Sequence, residues 1–185
     1  IGRIYGFNKF QSRLPSVNTT GTQTLENAIA NKCRTLLINE GFIETINYSI
    51  TNNNATPTIQ IKNPLGLGNK LRTSLIPGLI EAYEYNKKQK NLAFQAFEIG
   101  RIFKKNEKQE YTFVSGIFGT KQERNNWDSN SAPINWITAK SKFEKLLNEL
   151  ELKTEWEQYE EPELEKTSKI HPTRTAQILV GHQII

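Results

Sequence analysis

The side chains with chemistry to offer are few and widely spaced: Arg72, Arg101, Glu44, Glu98, Cys33, His171 and His182. A guanidinium is a planar fork of N–H donors, so Arg72 and Arg101 suit a phosphate or an RNA backbone. They equally suit the closing of helix and strand ends on carbonyl and carboxylate partners. Glu44 and Glu98 fall in strand-like runs and have the chemistry either of a metal pair or of salt bridges. His171, ahead of Pro172, is a candidate general base, yet no Ser or Cys is visibly paired with it. Cys33 lies on an apolar stripe and reads as a small buried hydrophobe rather than a nucleophile. One cysteine permits no internal disulfide, and with two histidines it makes no zinc set. Gly66-Leu-Gly68 is too short and wrongly placed for a phosphate loop.

The elements that must position these residues are read from periodicity. Leu25, Ile29, Cys33, Leu36 and Leu37 recur at helical spacing, Thr20-x-x-Gln23 has the form of a capping box, and Gly41 stands where a helix C-cap is expected. Residues 43–50 are rich in β-branched and aromatic types and 58–62 alternate with period two, so both are strand candidates. Asn63-Pro-Leu-Gly-Leu-Gly68 ends the second of them. A second helix carries Ile76, Leu79, Ile80 and Tyr83 on one face and ends in Lys87, Lys88 and Lys90, cations that favour the C-terminal end of a helix dipole. Residues 93–103 and 111–118 suit a hairpin across the charged turn 104–108.

Beyond a polar loop over 119–133, Trp136, Ala139, Phe143, Leu146, Leu147 and Leu150 give a third helix. Residues 154–159 then alternate as a strand, and 177–180 with 183–185 predict a final hairpin around Gly181-His182. Strands outnumber helices without a strand-helix-strand rhythm. The expected fold class is therefore α+β, an antiparallel or mixed sheet flanked by helices. Residues 1–20 read as the tail of a preceding unit and a linker rich in Pro, Ser, Asn and Thr, and 21–185 as one domain truncated at its C-terminus.

Bulk properties narrow the class. With 36% apolar and 23% charged residues and three tryptophans in 185, the chain can bury a core and is globular. No apolar run approaches the ~20 residues of a membrane span, and Ile1 opens without the pattern of a signal peptide. The net charge of +5 permits contact with RNA, but the basic residues are scattered and 155–165 is strongly acidic, so no phosphate-tracking stripe forms. Cysteine usage suits a reducing compartment. The absence of Met and the apolar end at Ile184-Ile185 suggest a piece of a longer polypeptide, and the abundance of Asn, Lys, Ile and Gln fits an AT-rich genome such as that of a plastid.

Five segments in order resemble the beta subunit of bacterial and plastid phenylalanine–tRNA ligase. They are Ile1-Gly-Arg-Ile-Tyr-Gly-Phe7, Leu71-Arg-Thr-Ser-Leu-Ile-Pro-Gly-Leu79, Phe97-Glu-Ile-Gly-Arg-Ile-Phe103, Trp136-Ile-Thr-Ala-Lys-Ser141 and Ile170-His-Pro-Thr-Arg-Thr-Ala176. The family pattern usually has Gly where Ser141 and Thr173 stand, departures that bear on local turns. The resemblance implies a class II aminoacyl-tRNA synthetase-like fold that serves as the catalytic-like but non-catalytic module of the beta subunit. In such enzymes the alpha subunit makes phenylalanyl-adenylate from ATP, charges tRNA(Phe), and joins the beta subunit in an alpha2beta2 heterotetramer.

ATP and magnesium then belong to the whole enzyme. No bound cofactor is expected on this chain, where Arg72 and Arg101 are the weak phosphate candidates, and the family's magnesium ligands would lie upstream of Ile1. Catalytic relatives follow the strand resembling Gly100-Arg-Ile-Phe103 with an Arg, a further residue and an acid; here the run is Lys104-Lys105-Asn106, and a point charge does not replace a fork. Leu75, Leu79 and Tyr83, and the stripe of the first helix, serve either this domain's own core, which claims at least half of these positions, or the alpha subunit as interface candidates. The expected location is the plastid stroma or the bacterial cytoplasm, with no membrane partner. Two alternatives come from other classes: a self-sufficient adenylate-forming enzyme, and a stand-alone basic RNA-binding module.

Overall fold

A hairpin of two seven-residue strands is the spine of the molecule. The computed structural model describes residues 1–14, 16, 20–52, 58–66, 68–105, 110–119, 134–158, 176–180 and 183–184. A short helix α1 (Gly2–Tyr5) and a 3-10 turn (Phe7–Lys9) precede α2 (Leu25–Asn39), β1 (Ile43–Glu44), β2 (Ile50–Thr51), β3 (Lys70–Leu71) and α3 (Ile76–Lys88). The hairpin strands β4 (Ala96–Ile102) and β5 (Tyr111–Ile117) follow, then α4 (Trp136–Glu149), β6 (Thr154–Gln158), β7 (Ala176–Val180) and β8 (Gln183–Ile184).

Strands β4 and β5 pair antiparallel over seven positions, from Ala96 opposite Ile117 to Ile102 opposite Tyr111. On the other edge of β4 lies β1, parallel, with Ile43 beside Ala96 and Glu44 beside Phe97. The central sheet is therefore mixed, in the order β1-β4-β5, and the fold is α+β as expected. Strand β2 pairs antiparallel with β3, and β6-β7-β8 form an antiparallel sheet in that order.

Alternation along β4 sends its side chains to two different layers. Phe97 joins Leu37 of α2, Phe42 and Leu146 of α4 in one cluster, with Leu36, Ile99, Phe118 and Leu150 packed around it. Ala96 joins Leu79 of α3 and Phe94 in the other, with Ala82, Tyr83 and Ile117 beside them. Helices thus cover both faces of β4, while β5 is exposed at Tyr111, Phe113 and Val114. Truncation of a fully buried Phe97 costs about 3–5 kcal/mol by lost transfer energy and the void left behind.

The helices begin and end for local reasons. Thr24, not the Thr20-to-Gln23 box, caps α2 by accepting from the Asn27 amide at 3.3 Å, because the helix starts at Leu25, directly after Thr24 and beyond the reach of Thr20. At the other end Gly41, at φ +86, allows the Gly41 and Phe42 amides to donate to the carbonyls of Ile38 and Leu37. That is a Schellman closure, and Phe42 and Leu37 meet in the core as it requires. Asn135 caps α4 by accepting from Thr138 N at 2.9 Å. The Ser74 hydroxyl accepts from Ile76 N at 3.2 Å where α3 begins.

The predicted strand over 43–50 is corrected to β1 and β2, separated by an unpaired stretch. The one over 58–62 is reduced to a bridge from Gln60 to Lys70, with Ile61 N donating to Asn69 O and Leu71 N to Ile59 O. The final hairpin forms with β7 and β8, while its turn Gly181-His182 lies outside the described residues.

Candidate functional site

Segments Leu71–Leu79 and Phe97–Phe103 meet through one side chain, Arg72, whose partner Glu98 lies 26 positions further along the chain. Arg72 leaves β3 with its amide bonded to Ser49 O at 2.9 Å and its carbonyl accepting from Phe103 N at 3.0 Å. Its guanidinium donates to Glu98 Oε1 at 2.5 Å, to Arg101 O at 3.0 Å and to Asn47 O at 3.4 Å. Glu98 also accepts from the Asn47 side-chain amide at 2.7 Å and its backbone N at 3.4 Å. The two charged side chains are 10% and 3% exposed.

Glycine makes the room. A Cβ on Gly100 would collide with the terminal nitrogen of Arg72, and one on Gly78 would come within 3.0 Å of Asn47 Cβ. Burying an ion pair carries a desolvation cost of several kcal/mol per ion, which attraction offsets only when further hydrogen bonds satisfy both partners. Here carbonyls and the Asn47 amide supply them.

Arg101 alternates to the opposite face of β4, where it pairs with Glu110 at 2.7 Å in solvent. Lys104 sets its ammonium 5.5 Å from the centre of the Tyr111 ring, and Lys105 is exposed. Among the described residues, Arg72 and Arg101 thus each face a carboxylate, the first buried and the second in solvent. Among the described residues no three His, Cys, Asp or Glu side chains gather as a metal set.

The remaining candidates have local partners or sit in the core. Glu44 is bridged by Arg34 at 2.8 Å, so neither Glu44 nor Glu98 stands free as a metal ligand. Cys33 is buried, and burial pushes its thiol up from the ordinary range. His171 and His182 lie outside the described residues. Leu75 and Leu79 are 2% and 1% exposed, so their side chains serve this chain's own core and present no surface to a partner; Tyr83 is half-buried beside Leu79. On α2, by contrast, Leu25 is 77% and Ile29 48% exposed.

Two features escaped the sequence reading. Asn47 looked like one more strand residue, and its role depends on the bend that separates β1 from β2. Lys142 of α4 donates to Glu40 O at 2.6 Å, at the C-terminal end of α2, and lies 5.3 Å from the centre of the Phe42 ring. Lys145 pairs with the Glu40 carboxylate. Burial lowers the Lys142 ammonium from the usual lysine range; Glu40 opposes the shift and Lys145 adds to it.

Beside Arg72 a cavity of about 450 Å3 opens between residues 46–52 and the first turns of α3. Ile46, Tyr48 and Ile50 form one wall, Pro77 and Glu81 another.

The family model of the phenylalanyl tRNA synthetase beta chain CLM domain matches residues 10–185. The chain belongs to that family. Relatives of this CLM domain include the chloroplastic phenylalanine–tRNA ligase beta subunit of Phaeodactylum tricornutum, 33% identical over 98% of this chain and 26% of its own length. The beta subunit of Trichormus variabilis is also 33% identical, over 98% of this chain and 22% of its own. That of Porphyra purpurea, chloroplastic by name, is 34% identical over 84% of this chain and 22% of its own. The CLM domain chain thus spans about a quarter of the length of these curated relatives.

Among solved structures, the pyrrolysyl tRNA synthetase of Desulfitobacterium hafniense superposes with a TM-score of 0.59 at 15% identity, covering 86% of this chain and 56% of that one. The CLM domain has the class II synthetase fold. Among its described residues no helix is long and apolar enough to cross a membrane.

Proposed function

We propose that this chain is the catalytic-like, non-catalytic module of a phenylalanine–tRNA ligase beta subunit, and that it holds the alpha subunit in place while that subunit attaches phenylalanine to tRNA(Phe). The observation that carries this reading is the Arg72–Glu98 pair at the heart of a class II fold: the buried guanidinium is spent on structure. On this reading ATP and magnesium serve the alpha subunit, the assembly is alpha2beta2, tRNA(Phe) is bound by the whole complex, and the location is a plastid stroma or bacterial cytoplasm. Residues 1–20 are then the tail of the preceding unit and 21–185 the module itself.

With Leu75 and Leu79 in the core, the helix stripe that remains open to the alpha subunit is the outer side of α2 at Leu25 and Ile29, one of several exposed apolar surfaces among the described residues. Phenylalanine-dependent exchange of pyrophosphate with ATP tests the role. The chain alone gives none, and in the alpha–beta complex a Lys104→Ala, Lys105→Ala double variant exchanges at the native rate. Exchange by the chain alone, or a hundredfold loss in the double variant, would show that the phosphate grip lies here, as a self-sufficient adenylate-forming enzyme requires.

A further inference from the structure

The cavity beside Arg72 has no use in the scaffold reading. Its volume of about 450 Å3 lies within the range of small-ligand sites, which run from about 300 to 1,000 Å3. Its floor carries no net charge, because Glu98 holds the Arg72 guanidinium. One charge in the lining is uncommitted: Glu81, on the second turn of α3, has neither an ion pair nor a hydrogen bond among the described residues. The hydroxyls of Tyr48 and Thr73 likewise make no side-chain hydrogen bond there. Ile46, Ile50 and Pro77 supply hydrocarbon wall.

A ligand that fits must satisfy one carboxylate, bring no negative charge and bury a few apolar carbons. We propose that this cavity binds a small organic ammonium ion, with its amine end at Glu81 and its hydrocarbon body against Ile46, Ile50 and Pro77. An anion is disfavoured, since Glu81 repels it and the guanidinium that would attract it is already neutralised. A bare metal ion gains nothing from the apolar wall and finds a single carboxylate, short of the six or more oxygens that hard cations gather.

Three probes with one hydrocarbon body test this by NMR titration of the 185-residue chain: 3-methylbutylammonium, 3-methylbutanol and 3-methylbutanoate. The amine saturates at millimolar concentration, the alcohol binds roughly fivefold more weakly, as one partly solvated ion pair allows, and the acid does not bind. Glu81→Gln removes the amine's advantage over the alcohol while circular dichroism is unchanged, because the residue is exposed. Ile46→Trp, at a side chain 92% exposed on the mouth of the cavity, abolishes binding of both. Equal binding of amine and alcohol, binding of the acid, an advantage that survives Glu81→Gln, binding that survives Ile46→Trp, or no saturation by about 50 mM each overturns the proposal. The titration needs neither ATP nor an alpha subunit, so its failure leaves the scaffold reading intact.

Discussion

Arg72 makes contacts that lysine cannot copy: one planar head reaches Glu98, the carbonyl of Arg101 and the carbonyl of Asn47 at once. Arg72→Met leaves Glu98 buried without a charge partner and is expected to cost about 3–5 kcal/mol in urea unfolding. The Arg72→Met, Glu98→Met pair costs much less than the sum of the two single changes, and a double-mutant cycle measures the difference. Gly100→Ala is expected to cost about 1–3 kcal/mol by pushing the Arg72 head aside. Lys142 gives a pH signature. Its folded-state ammonium titrates below that of an unfolded lysine, so between the two values the unfolded chain holds more protons, and stability rises with pH across that window. Comparing unfolding of the native chain and Lys142→Met from pH 8 to about 10 reads this increment, which the variant lacks. These roles were half legible in the sequence. The spacing of Phe97-Glu-Ile-Gly-Arg101 put Glu98 and Gly100 on one face of a strand, but nothing local to it named Arg72, twenty-six positions away, as the partner.

Helices α2, α3 and α4 end by the same rule with different residues. The position after each C-cap is left-handed: Gly41 at φ +86, Lys90 at φ +65 and Glu151 at φ +61. In each case the next amide reaches back five residues to a carbonyl, from Phe42 to Leu37, Asn91 to Asn86 and Leu152 to Leu147. A side chain in this region of backbone space costs about 1 kcal/mol relative to glycine. Lys90→Gly and Glu151→Gly should therefore each raise stability by up to about 1 kcal/mol, and Gly41→Ala should lower it by a similar amount, all read as shifts in thermal midpoint. Only the Gly41 stop was visible in advance, because lysine and glutamate carry no signal for a left-handed turn. The helices themselves and the β4–β5 hairpin were legible, since their periodicity matches the core they face. The strand expected over 43–50 was not, because β propensity there marks residues that stand beside a sheet edge: Ile46 and Tyr48 are exposed and pair with nothing in a ladder.

At the scale of the whole molecule, helices on both faces of strand β4 leave apolar surface on α2 that the described residues do not cover. Leu25→Asp with Ile29→Asp should leave the thermal midpoint of the isolated chain nearly unchanged, as expected for exposed positions, and should abolish its co-purification with the alpha subunit if that face is the contact. Fold class was legible from the count and order of elements; which helix face looks outward was not, because an apolar stripe reads the same whether its cover is intramolecular or a second chain. The layout also sets the order in which the chain can assemble. Strands β4 and β5 are near neighbours and can zip early, whereas Arg72 must find Glu98 across twenty-six positions and Thr45 must find the Phe97 carbonyl across fifty-two. Kinetic analysis of variants should place the hairpin inside the rate-limiting nucleus and the guanidinium clamp outside it, so that the clamp acts as a late latch governing how fast the folded chain comes apart.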